Sequence, residues 1–162
     1  APTGGFTLGT PVATTSGTSI DFTGIPAGTK IINVLFKGVS TNGTASKRLQ
    51  IMESGGTSGF DYVSNGSRIV NTTVASEGVT SSFLIKSELA VEALHGTIQL
   101  VLENATTNTW SAGGVLADIA SSNNCYITSG GKTLPAALAT VRLTTSNGTD
   151  TFDAGELNIS YI

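Results

Sequence analysis

The sequence predicts an all-β chain: an antiparallel, jelly-roll-like β-sandwich of roughly nine to eleven strands with little or no helix. Three observations carry this reading. Apolar and polar residues alternate with a period of two in run after run. Glycine-containing turn signals stand between those runs. The polar residues are mostly Thr, Ser, Asn and Gly, the residues of strands and tight turns, and only 12% of the 162 residues are charged.

The first residues are rich in Gly, Thr and Pro and weakly patterned, so residues 1–17 read as an N-terminal arm or linker and residues 18–162 as the sandwich domain. Phe6, Leu8 and Val12 are spaced at twos and fours in that arm. Phe6, Leu8 and Val12 are therefore expected to make an assembly arm that adds to the edge of a neighbouring sheet, the alternative being an edge strand of its own sandwich. From Lys30 to Val39 the chain reads KIINVLFKGV, which puts Ile32, Val34 and Phe36 on one face and Asn33 and Lys37 on the other. Leu49 and Ile51 oppose Arg48 and Gln50 in the same way. In TIQLVLE, Ile98, Leu100 and Leu102 point one way and Thr97, Gln99 and Glu103 the other. Val141 and Leu143 oppose Arg142 and Thr144, and Leu157, Ile159 and Tyr161 oppose Asn158 and Ser160. Each run is the signature of a half-buried strand.

Asn42-Gly43, Asn65-Gly66 and Asn147-Gly148 predict hairpin-type turns, since both residue types tolerate positive φ. Ser54-Gly55-Gly56, Ala112-Gly113-Gly114 and Ser129-Gly130-Gly131 read as further punctuation. Ser87–Leu94 contains good helix formers, and Leu134–Ala139 is a short apolar turn, but both are too short to change the class.

Composition narrows the chemistry. With one cysteine, Cys125, no internal disulfide forms, and one Cys with one His does not furnish a closed zinc site. His95 is the only imidazole available to activate a nucleophile, and no Gly-x-Ser-x-Gly elbow occurs. The net charge of −3 and the scattered basic residues argue against nucleic acid. No apolar run is long enough to span a membrane as a helix. Residues Ala1 to Thr15 lack the basic and apolar segments of a secretory signal. Asn-x-Ser/Thr triplets at Asn42, Asn65, Asn71, Asn104, Asn147 and Asn158 are expected by chance in so Asn- and Thr-rich a chain. No catalytic residues, cofactor or metal are therefore expected. Asp150, Asp153 and Glu156 crowd one loop, where they read either as calcium ligands or as a solvated Asx-type turn. Phe60, Tyr62 and Trp110 follow Gly- or Asn-rich turns and are the binding candidates, because an aromatic beside polar loop residues stacks a sugar ring or anchors a protein interface. Trp110 also reads as a cap on one end of the core.

Four stretches in register are similar to a recurrent domain of tailed-bacteriophage virion proteins, of the tail-fibre C-terminal and capsid-decoration type. They are Ser16-Gly-Thr-Ser-Ile-Asp-Phe-Thr-Gly-Ile-Pro26, Gly38-Val-Ser-Thr-Asn-Gly-Thr44, Asn108-Thr-Trp110, and Leu143-Thr-Thr-Ser-Asn-Gly-Thr-Asp-Thr-Phe-Asp-Ala-Gly155 with the Leu-Asn-Ile-Ser-Tyr161 that follows. The resemblance covers most of residues 10–162. It implies a location on the outer surface of a phage particle, synthesis in the host cytoplasm, homotrimeric assembly and no catalytic residues. Without a fibre shaft ahead of it, the domain is expected to be a capsid decoration (cement) protein whose partners are other copies and the major capsid protein. The alternatives are a tail-fibre or spike tip that binds a host surface glycan, and a carbohydrate-binding module.

Overall fold

The alternation becomes thirteen strands and no helix among the described residues of a computed structural model, which are 4–57, 59–118, 120 and 123–162. In chain order they are β1 (Thr7–Leu8), β2 (Val12–Ala13), β3 (Ser19–Thr23), β4 (Ile31–Thr41), β5 (Lys47–Glu53), β6 (Val63–Val70), β7 (Thr73–Val79), β8 (Phe83–Ile85), β9 (Leu94–Asn104), β10 (Thr109–Asp118), β11 (Asn124–Thr133), β12 (Leu138–Thr145) and β13 (Phe152–Tyr161). They form two antiparallel sheets. The larger has nine strands in the order β1-β13-β4-β9-β10-β11-β6-β7, with β2 also on β13, and the smaller has four in the order β3-β12-β5-β8. The expected count of nine to eleven is exceeded by the two-residue strands β1 and β2.

The predicted inward faces are the buried ones. Ile20, Phe22, Leu49, Ile51, Val141 and Leu143 of the smaller sheet meet Ile32, Val34, Phe36, Ile98, Leu100, Leu116, Leu157 and Ile159 of the larger in one apolar cluster. Stacking two sheets by their apolar faces removes this surface from water, the main favourable term in such a fold.

Several turn signals lie elsewhere than expected. Asn42-Gly43 and Asn147-Gly148 do turn the chain, but they carry it from one sheet to the other rather than closing a hairpin. Asn65-Gly66, Gly113-Gly114 and Gly130-Gly131 lie within β6, β10 and β11. Close approach explains Gly66, Gly114 and Gly130. A Cβ on Gly66 would lie 2.6 Å from the Leu84 carbonyl oxygen, and one on Gly130 would lie 2.3 Å from that of Val63. Glycine is there because the neighbouring backbone leaves no room for a side chain. Ser87–Leu94 forms turns and the first residue of β9, not helix.

The arm is docked on the edge of its own sheet. Residues 1–3 of it lie outside the described residues. Thr7 and Leu8 pair with Tyr161 and Ser160, and Val12 and Ala13 pair with Leu157 and Glu156. The Thr14 N–H donates to the Gly155 carbonyl at 2.9 Å and its hydroxyl to that of Ala154 at 2.7 Å. These contacts satisfy backbone groups that β13 would otherwise leave unpaired at its edge. Val12 packs on the core, whereas Phe6 and Leu8 remain 52% and 65% exposed.

Replacing Phe36 by Ala is expected to destabilise the domain by about 3–5 kcal/mol, since it empties a buried site in the middle of β4. Urea denaturation measures this, and an unchanged midpoint would contradict the assigned strand faces.

Candidate functional site

Four features are candidates: the two ends of the interior, the acidic residues around the start of β13, and the outer face of the nine-stranded sheet. The ends are set by β10, whose inward residues run from Trp110 to Asp118. Eight residues at about 3.3 Å each place them roughly 26 Å apart.

At the Asp118 end the interior turns polar. Lys47, Glu92 and Asp118 are fully buried and Asn124 nearly so. The Tyr126 hydroxyl donates to one Glu92 oxygen, and the Leu89 N–H donates to the other at 3.1 Å. Asn124 Nδ2 donates to the Tyr126 oxygen at 2.9 Å. Asp118 accepts from the N–H groups of Ala93 and Ala120 at 3.1 and 2.9 Å. Lys47 Nζ donates to the Ser87 hydroxyl at 3.3 Å. Burial pushes the Lys47 ammonium below its usual pKa, and the charge of Glu92 is the largest influence opposing this. Burial, with the hydrogen bond to Glu92, pushes the Tyr126 phenol up.

This cluster was not among the residues singled out from the sequence. The signal was phase: Lys47 is in step with Leu49 and Ile51, and Asp118 with Ala112 and Leu116, so both stand at inward positions. Glu92 belongs to the segment whose composition reads as helical, and it turns inward instead. Glu92 and Asp118 are both wholly buried. Their hydrogen bonds tie the 86–93 connection and the ends of β10 and β11 together, which is structural work.

The aromatic candidates separate. Phe60 is 75% exposed, but Tyr62 and Trp110 are 1% and 2% exposed, so neither offers a free ring face. Tyr62 immediately precedes β6 and Trp110 is the second residue of β10, and both point inward. The Tyr62 hydroxyl accepts from the Ile51 N–H at 2.9 Å and donates to its carbonyl at 3.1 Å. Strand β8 pairs with β5 from Lys47 to Leu49 and no further, so Tyr62 takes up the backbone groups of Ile51 along that edge. Its ring lies edge-on to Phe83 with centroids 5.0 Å apart. Burial raises the phenol pKa to about 12. Trp110 sits among core residues, as its reading as a cap implied, and lines a small pocket at that end.

Of the three acidic residues expected to share a loop, only Asp150 lies in it; Asp153 and Glu156 fall within β13, and the three do not converge. Asp150 accepts from the Ala45 N–H at 2.9 Å and from Asn147 Nδ2 at 2.7 Å, and the Asn147 bond is the chief influence holding its pKa below the usual value. It thereby ties one inter-sheet crossing to the other. Glu156 lies 3.8 Å from Lys37, and Asp153 is exposed. Among the described residues no three His, Cys, Asp or Glu side chains gather as a metal-binding group. His95 is exposed near Gly38.

The outer face of the large sheet follows from register, because residues paired across antiparallel strands share a face. From β9 to β7 its rows are His95–Ala117–Cys125–Ile69–Val74, Thr97–Val115–Ile127–Ser67–Ser76, Gln99–Gly113–Ser129–Asn65–Gly78, and Val101–Ser111–Gly131–Val63 over the first four strands. No Lys, Arg, Asp or Glu occurs in them. Val115 and Val74 are 54% and 63% exposed. With strands about 4.8 Å apart, the rows cover roughly 500 Å².

Lys47→Met is expected to cost about 3 kcal/mol, because it leaves Glu92 buried without its compensating cation, and Glu92→Gln added to it is expected to recover part of the loss. Chemical denaturation of the single and double variants checks this. A single variant as stable as the parent would show that the cation is dispensable.

No family model, curated protein or solved structure matches the chain.

Proposed function

We propose that the chain is a non-enzymatic structural component of a tailed-bacteriophage particle, a capsid decoration protein that works as a homotrimer and stabilises the head through subunit contacts. The observation that carries this reading is the uncharged stretch of the outer face over β9, β10, β11, β6 and β7. A solvated sheet face normally carries charge, whereas interface cores are depleted of it. Each copy offers roughly 500 Å², enough for one side of an interface of about 1,000 Å². Exposed Phe6 and Leu8 on the docked arm add apolar area for a neighbouring copy or the major capsid protein. A binding role also fits the chemistry inside: the carboxylates of Glu92 and Asp118 are buried and held in hydrogen bonds to the fold. The second reading is a tail-fibre tip that binds host glycan, and the observation favouring it is the pocket beside Trp110.

Placing a carboxylate in the middle of the outer face tests the assembly reading. Val115→Glu is expected to leave the melting temperature unchanged, since Val115 is more than half exposed, and to convert trimer to monomer in sedimentation velocity or to abolish capsid binding. A variant that assembles and binds as the parent does would remove the face from the account. A particle map showing the chain on the tail would select the second reading.

A further inference from the structure

The smaller sheet does not cover the inner face of the larger one to its end. At the tip of the β6–β7 hairpin, Arg68 pairs with Ala75 and Val70 with Thr73 on that inner side. Val70 and Ala75 are only half-buried there, and Thr73 is exposed. The uncovered tip holds a pocket of about 350 Å³, lined by Arg68, Val70, Asn71, Thr72, Thr73 and Ala75. Arg68 is the only charged member of this lining. A guanidinium carries N–H donors and no acceptor. Its Nε is buried and unpartnered, whereas neither Nη1 nor Nη2 is buried, so the free end of the fork is open to a ligand. Glu88, the carboxylate paired with Arg68, stands 3.8 Å from Nη1, beyond hydrogen-bond length. Glu88 is itself held at 2.8 Å by Lys86.

We propose that this pocket binds a sugar acid of the hexuronate class, with Nη1 and Nη2 of Arg68 donating to the carboxylate and Asn71, Thr72 and Thr73 meeting the ring hydroxyls. The planar fork of a guanidinium matches the two oxygens of a carboxylate. The ligand carries a single charge, because Glu88 stands close behind the guanidinium and opposes a second negative charge, which disfavours a phosphate dianion. Asn and Thr side chains both donate and accept, as a ligand rich in hydroxyls requires. The volume lies at the lower end of small-molecule sites, about 300–1,000 Å³, and suits one sugar ring. The proposal rests on the glycan-binding reading and makes no use of the outer sheet face, so Val115→Glu and the test below fail separately.

Titrating the ¹⁵N-labelled chain with glucuronate tests this. The backbone amides of residues 70–75 are expected to shift saturably, to stay in place with glucose, and to shift less with phosphate. Arg68→Lys keeps the charge and loses the fork, and is expected to weaken glucuronate binding more than about tenfold. Thr73→Val alters an exposed position, so it is expected to leave the melting temperature unchanged and to weaken binding about fivefold, the worth of one neutral hydrogen bond. Amides that glucuronate does not move, or an affinity unchanged in both variants, overturn the site. An equal response to glucose overturns recognition of the carboxylate. An equal response to acetate overturns the sugar as its carrier, and a stronger response to phosphate overturns the single charge. An acidic host glycan that binds equally well before and after Arg68→Lys overturns this site and leaves the glycan-binding reading standing.

Discussion

Four strands have to cover the inner face of a nine-stranded sheet, and the rest of the molecule follows from that inequality. Where β3, β12 and β5 lie over the large sheet, the inward positions are mostly Ile, Leu, Val and Phe. At the Asp118 end the lining changes to Lys47, Glu92, Asp118, Asn124 and Tyr126, whose hydrogen bonds seal the sandwich with polar groups. A closed polar network of this kind is valuable only while nearly complete, since any member removed leaves others buried and unpaired. At the other end Trp110 closes the core and leaves a small pocket. The opposite face of the large sheet has no second layer among the described residues, and the uncharged stretch from β9 to β7 is the feature that most needs a partner.

The strand faces were legible in the sequence because burial on one side writes itself as alternation. Ile32, Val34 and Phe36 are buried as their spacing implies, and so are Leu49 with Ile51 and Val141 with Leu143. Glycine was legible as special but ambiguous in meaning. A positive φ and a close backbone contact both require it, and the residue itself does not say which applies. Gly148 has a φ of +67°, as a turn demands. Gly66 and Gly130 are ordinary strand residues pressed against a neighbouring carbonyl. Which strands cross between sheets was equally hidden, because Asn-Gly serves a crossing as well as a hairpin.

The candidate site was less legible. Phe60, Tyr62 and Trp110 share a loop-like context in the sequence, yet only Phe60 stays in solvent. Tyr62 and Trp110 sit at strand starts, where one step of phase decides between core and surface. The buried ionic cluster was missed for the converse reason: charged residues are expected outside, and Lys47 and Asp118 keep inward phase at the ends of their strands. Glu92 carries no periodic signal and is placed by the turn it closes. The uncharged outer face becomes visible only when register brings five strands side by side, since each contributes a few unremarkable Ser, Gly and Val residues.

Cys125 reports directly on the claim that this outer face is an interface. It lies in the row with Ile69 and Val74, partly exposed in the single chain, and it is the only thiol in the sequence. The measurement is its rate of maleimide labelling in the assembled particle compared with the dissociated chain. Assembly through this face predicts strong protection in the particle and ready labelling of the free chain. Equal rates in both states would contradict it.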